Sequence, residues 1–190
     1  MRNYCLSVLI CFYFNLHSQK NHFDVLIGIE NKINKYELTA MKIWDLAEMG
    51  YQEKESSALL QKLLKEEGFV IESGLAGIPT AFVASYGSGY PEIAILGEYD
   101  ALPGLSQKAK PYKISNNGNA GHACGHHLFG TASAAAAIAI KQYLFKNNKS
   151  GTIKFFGCPA EEGGSGKVYM TKAGLFDDSD IALHWHAASI

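Results

Sequence analysis

The sequence predicts an α/β domain built on a largely parallel central sheet. Short β-rich runs alternate with helical patterns beyond residue 69, which is the texture of strand–helix–strand units. Glycine-bearing turns separate the runs, and acidic, imidazole and thiol side chains collect where a strand has ended or a helix is about to begin. With 190 residues, 47% of them hydrophobic, the chain can bury one sizeable core but not two large ones. A formal net charge of −1 offers no basic surface for nucleic acid or acidic lipid, so neither is expected as a partner.

The first residues differ from the rest. Met1-Arg2-Asn3 is a short cationic start, and the apolar run "YCLSVLICFYFNL" has the length of a signal-peptide core while being short for a membrane span. Residues 1–18 are therefore expected to be a signal peptide cleaved near Ser18, with residues 19–190 forming one domain. Export would make the protein periplasmic or secreted; a buried first element would leave it cytoplasmic. Cys5 and Cys11 would leave with the leader, and Cys124 and Cys158 alone make no disulfide framework.

The elements follow in order. "FDVLIGIENKINKYELTAMKIWDLAEMG" places apolar residues at 26, 29, 33, 36, 40, 43, 44 and 47, one face of a long helix closed by Gly50. "ESSALLQKLLKEEGF" is a shorter helix with Ser56 or Ser57 as its cap and Gly68 just past its end. "FVIES", "TAFVAS" and "EIAILGEYD" read as strands, followed by a polar loop over 103–122. "LFGTASAAAAIAIKQYLF" is a helix whose small residues allow close approach to a sheet, and Lys141 follows too soon for a membrane span. "GTIKFFGCPAEE" and "DIALHWH" are strands flanking a helix in "GGSGKVYMTKAGLF". No linker or repeat divides the chain. In sheets of this kind reactive groups gather in loops at the carboxyl ends of strands.

The stretch "NAGHACGHHLFG" crowds three histidines and a cysteine into six positions. Cys124 and His126 are two apart, so in an extended loop their side chains point the same way and can reach one ion. A buried cysteine beside a helix-start histidine is the competing reading. Glu161-Glu162 lie between an apolar strand and two glycines; adjacent like charges there are costly unless something positive receives them. One carboxylate could bind metal while the other acts as general base. His184 and His186 share a face at a strand's exit, and either could be a ligand or a core histidine. Asp100, two beyond Glu98, is either a turn cap or a carboxylate that fixes a ligand's tautomer. "EGGSGKV" fails as a phosphate loop, because Glu161 stands where its first glycine belongs and Val168 follows the lysine.

Taken in order, "GEYDALPG", "GHACGHHLFGTASAAAA", "GCPAEEGGSGK" and "GLFDDSDIALHWH" resemble the aminoacylase/carboxypeptidase family of co-catalytic metallopeptidases, in its amidohydrolase branch. The resemblance runs from about residue 24 to the end. It implies a zinc-peptidase-like three-layer sandwich, interrupted in the family by a dimerising lid domain, and a homodimer for the full-length protein. It implies two divalent ions, zinc or manganese, held by Cys124, His126, Glu162 and His186. Glu161 matches the general base, and His186 rather than His184 matches the ligand that ends the next strand. Glu98 and Asp100 match the family's D-x-D pair, with Asp100 a candidate catalytic residue and Glu98 a departure in residue type. His127 departs too, since Asn or Asp commonly follows C-G-H. The family's last metal-binding histidine, lid and closing strands lie beyond position 190, so the chain is expected to be the front part of the catalytic domain.

The expected activity is hydrolysis of an amide bond in a small-molecule N-acyl amino acid or dipeptide-like substrate. Two other classes stay in view: a metal- or substrate-binding fragment without turnover, and a cysteine hydrolase using Cys124 with His126 or His127 as base.

Overall fold

The computed structural model describes residues 25–187. The expected leader lies outside the described residues. A helical turn over residues 25–30 leads, after a break at 31–32, into α1 (Ile33–Leu46) and then α2 (Lys54–Glu66). Strands β1 (Val70–Ser73), β2 (Phe82–Ser88) and β3 (Glu92–Glu98) follow, with a 3₁₀ turn at Leu75–Gly77. Two short strands, β4 (Leu102–Pro103) and β5 (Ala120–Gly121), bracket the polar loop as a separate antiparallel pair. Then come α3 (His126–Lys146), β6 (Gly151–Cys158), a tight turn at Glu161–Gly164, α4 (Gly166–Lys172) and β7 (Ile181–Leu183).

The main sheet has the order β1-β2-β6-β3-β7. Its β6-β3-β7 half is parallel, as the alternation of strands and helices predicts, whereas β1 and β2 pair antiparallel with each other and β2 antiparallel with β6. The short β1–β2 connection lets those strands meet as a hairpin, a pairing that parallel strands cannot make. In the parallel half, Glu98 stands opposite Cys158 and Ile95 opposite Leu183. Three strands therefore end along one edge of the sheet.

The sheet separates two apolar layers. On one face Tyr36, Ile43, Leu60, Leu64 and Ile138, from α1, α2 and α3, pack against Phe82, Ile95 and Phe155. On the other, Ile78, Val83, Ala94, Phe156 and Met170 form a smaller cluster beneath α4 and the 3₁₀ turn. Consecutive Phe155 and Phe156 point to opposite faces, the alternation that a strand covered on both sides requires.

Two helix ends differ from the sequence reading. α1 stops at Leu46, where Ala47 takes a left-handed φ of 43°, rather than running on to Gly50. Tertiary pairing decides this: the chain turns out so that the Glu48 carbonyl accepts the Ala101 N–H at 2.8 Å. Neither Ser56 nor Ser57 caps α2; Glu53 holds the cap position, and both serines are buried in the first turn. The free N–H groups of Glu55 and Ser56 instead donate to the Glu48 carboxylate at 3.1 and 2.8 Å, which satisfies orphan donors and suits the positive end of the helix.

The small residues of α3 do let it lie close to the sheet. A methyl group at Gly130 would stand 2.3 Å from the Glu98 carbonyl oxygen, a backbone atom with no freedom to retreat. Gly130→Ala is expected to destabilise the fold by about 1–3 kcal/mol through overpacking, read as a lowered midpoint in thermal or urea unfolding. An unchanged midpoint would show that α3 can move away from β3 at little cost.

Candidate metal centre

The three strand ends and the start of α3 converge on one cluster. His126 is the first residue of α3 and is fully buried. Its Nδ1 donates to the Asp100 carboxylate Oδ1 at 2.8 Å and lies 3.1 Å from the Asp100 carbonyl. The second carboxylate oxygen of Asp100 accepts the Glu162 N–H at 2.8 Å. Buried Asp100 thus ties the β3 exit, the α3 start and the β6 exit together with two hydrogen bonds.

His186 reaches the same place from the β7 exit. Its Nδ1 donates to the Ala187 carbonyl at 2.6 Å. Both imidazoles therefore carry their proton on Nδ1, which leaves each Nε2 in the neutral ring as a bare lone pair. Those two nitrogens lie 3.3 Å apart, and Cys124 Sγ sits 3.4 Å from His186 Nε2. Three electron-rich atoms do not crowd together unless a proton or a cation lies between them. Among the described residues, the ligand atoms of Cys124, His126 and His186 all fall within 4.8 Å of one another, as do those of Glu98, His126 and Glu161.

The carboxylates complete the surroundings. Glu161 Oε2 and Glu162 Oε1 stand 3.9 and 3.8 Å from His126 Nε2. The two glutamates do not project to opposite sides as consecutive strand residues would: a left-handed Ala160 (φ 54°) and a non-helical Glu162 (ψ 84°) turn both inward. Glu162 Oε1 and Glu98 Oε2 are buried without hydrogen-bond partners. Unpartnered buried carboxylate oxygens facing bare imidazole nitrogens and a thiol fit a divalent cation, for which Cys, His and Glu are ordinary donors.

The protonation equilibria point the same way. Burial lowers the pKa of His126, but hydrogen bonds and charge from Asp100 and Glu98 overcome it and push it up to about 10. Burial, with the nearby carboxylates of Glu162, Glu161 and Glu98, pushes the Cys124 thiol up to about 12. A neighbourhood that so favours a bound proton also favours a metal ion in its place.

Of the sequence-predicted residues, Cys124, His126 and His186 meet directly, Glu161 and Glu162 border them, and Asp100 lies behind His126. His184 turns elsewhere, with Nε2 3.3 Å from Glu98 Oε1. His127 and His122 lie outside the cluster beside Trp44, with His127 edge-on to its ring; burial lowers both imidazoles to about 4. Cys158 is a buried free thiol, as Cys124 is a free one.

Two contributors were not read from the sequence. Lys167 pairs with Glu98, although "GGSGK" registered there only as a failed phosphate loop. Glu53 is fully buried and accepts the Ala160 N–H at 2.7 Å and the Thr80 hydroxyl at 3.1 Å. It holds the left-handed turn that aims Glu161 and Glu162 from 107 residues away, a contact with no local signature.

The sequence pattern of Peptidase family M20/M25/M40 matches residues 94–189, the segment that supplies every cluster residue described above. The chain belongs to this family. It is 48% identical over 162 residues to one of the subunits of p-aminobenzoyl-glutamate hydrolase from Escherichia coli (strain K12), covering 84% of this chain and 34% of that protein. It is 32% identical over 154 residues to hippurate hydrolase of Campylobacter jejuni, covering 80% and 39%. The chain thus spans little more than a third of these curated relatives' length. Among solved structures, a dinuclear metal-binding peptidase of the family from Bacillus subtilis superposes with a TM-score of 0.59 at 28% identity, covering 78% of this chain and 43% of that one. The aminobenzoyl-glutamate utilization protein of Klebsiella pneumoniae gives 0.60 at 18% identity, covering 85% and 46%, a likeness of fold.

Glu53→Ala is expected to leave the Ala160 N–H and the Thr80 hydroxyl unpaired. The predicted loss is about 1–3 kcal/mol, measurable by chemical denaturation, with Thr80→Ala in the same background recovering part of it. A silent Glu53→Ala would mean the turn holds itself.

Proposed function

We propose that the whole protein is a metal-dependent amidohydrolase that cleaves the amide bond of an N-acyl amino acid or dipeptide-like substrate such as aminobenzoyl-glutamate. The observation that carries this reading is the pair of Nε2 atoms 3.3 Å apart beside the Cys124 thiol. The substrate class rests on the 48% identity to the Escherichia coli hydrolase.

Cys124, His126, Glu162 and His186 would hold two divalent ions, zinc or manganese by the donor set. When bound, such ions lower the pKa of a water and polarise the scissile carbonyl. Glu161, 42% exposed at its side chain, would take the proton of the attacking water and return it to the departing amine. Asp100 fixes the tautomer of His126 and the position of Glu162, a positioning task done from behind the reacting groups. Lys167 sits close enough to compensate the charge of Glu98 as the carboxylates gather.

A thiol-hydrolase reading fares worse. A nucleophilic cysteine needs a lowered pKa, whereas burial and the carboxylates around Cys124 raise it.

Two outcomes are expected in the intact enzyme. Glu161→Gln should reduce kcat by about two to four orders of magnitude, the contribution of a general base, with bound metal unchanged by elemental analysis; near-normal turnover would remove Glu161 from its role. Dialysis against a strong chelator should abolish amide cleavage and added zinc or manganese should restore it. Activity that persists in chelator would favour the thiol mechanism.

A further inference from the structure

Glu98 is not among the four donors named above, yet it is a buried carboxylate facing them, 1% exposed. Its two oxygens live in different surroundings. Oε1 pairs with Lys167 and lies 3.3 Å from His184 Nε2. Oε2 stands 3.0 Å from His126 Nε2 and has no other partner among the described residues.

That division has a physical meaning. Burying a carboxylate is expensive unless both oxygens are compensated. Lys167 and His184 compensate one and, by gripping it, fix the orientation of the other. Oε2 is thereby pointed at the atom where His126 presents its lone pair. When the imidazole is neutral with its proton on Nδ1, no hydrogen bond can join them, and a cation between them takes the place that a second proton holds in the metal-free site.

Donor counting leads to the same place. Cys124, His126 and His186 supply three donors to one ion. Nε2 of His126 has a single lone pair and cannot serve a second, and Nδ1 is committed to Asp100. Two ions that each favour about four ligands have room for more donors than these four and the one further histidine that the family resemblance implies. In the second group within 4.8 Å, Glu98, His126 and Glu161, Glu161 is reserved as the base, so Glu98 is the carboxylate left to bind.

We infer that Glu98 is a further metal ligand, binding the second ion through Oε2, with Lys167 and His184 as the groups that hold Oε1 and aim it. This rests on the metal-hydrolase reading and extends it by one residue and one ion position. The glutamate that departs from the D-x-D pattern gains a role of its own: its longer side chain spans from Lys167 to the metal side of His126.

The test is zinc binding by the intact protein, stripped of metal and titrated in competition with a chromophoric chelator, with bound zinc counted by elemental analysis. Wild type is expected to take up two equivalents. Glu98→Gln should keep the first and bind the second at least about tenfold more weakly. Circular dichroism checks folding, because glutamine leaves Lys167 without its ion pair. If Glu98→Gln fails to fold, Glu98→Gln combined with Lys167→Met decides: it removes the unpaired ammonium together with the carboxylate charge, and should also bind the second equivalent more weakly. A folded Glu98→Gln, or failing that a folded Glu98→Gln with Lys167→Met, with two equivalents at wild-type affinity overturns the inference. So does a wild type that binds one equivalent with the variant unchanged. A wild type that binds no zinc overturns the metal-hydrolase reading itself.

Discussion

The buried carboxylate of Asp100 is the interaction on which the site depends. One oxygen accepts the proton of His126 Nδ1 and the other the N–H of Glu162, so one side chain sets both a tautomer and a loop. A neutral imidazole offers only one lone pair, and it faces the cluster only if the proton stays on the far nitrogen. Without Asp100, His126 could present an N–H where a donor atom is needed, and the turn carrying Glu161 and Glu162 would lose its tether.

The fold makes this interaction possible by ending its parallel strands together. Glu98 pairs in register with Cys158, and the chain beyond each runs straight into Asp100 or into Glu161-Glu162. β7 delivers His184 and His186 on the other side of β3, where Phe129 of α3 packs against both imidazoles with ring centroids 4.8 and 5.9 Å away. Gly97 and Gly130 let α3 close onto β3, which brings His126 down to strand level. Behind the site, Glu53 and Tyr51 brace the turn at Ala160 and Gly164 from the α1–α2 connection.

Most of this was legible in the sequence where chemistry and local pattern coincide. C-x-H, Glu-Glu between an apolar strand and glycines, and a histidine pair at a strand exit each marked a residue that the structure brings to the cluster. Residue types alone left His184 and His186 equivalent; the structure separates them, because His186 turns toward Cys124 while His184 turns toward Glu98. Glu53 and Lys167 were not legible as site residues, since their partners lie 107 and 69 positions away. The ends of α1 and α2 were misplaced for a similar reason: Glu48 takes over the capping that local rules assign to a serine, and a bond to Ala101 ends α1 before its glycine. The antiparallel β1–β2 edge also escaped the strand–helix pattern, which speaks only for the parallel half.

Everything proposed for the chemistry comes down to one small volume, where Cys124, His126 and His186 close on a cation. Anomalous diffraction at the zinc absorption edge from crystals of the zinc-loaded protein tests this most directly. The expected peak lies about 2.3 Å from Cys124 Sγ and about 2.0–2.1 Å from the Nε2 atoms of His126 and His186. A fully loaded crystal with no peak inside that triangle, or with its zinc elsewhere on the molecule, would contradict it.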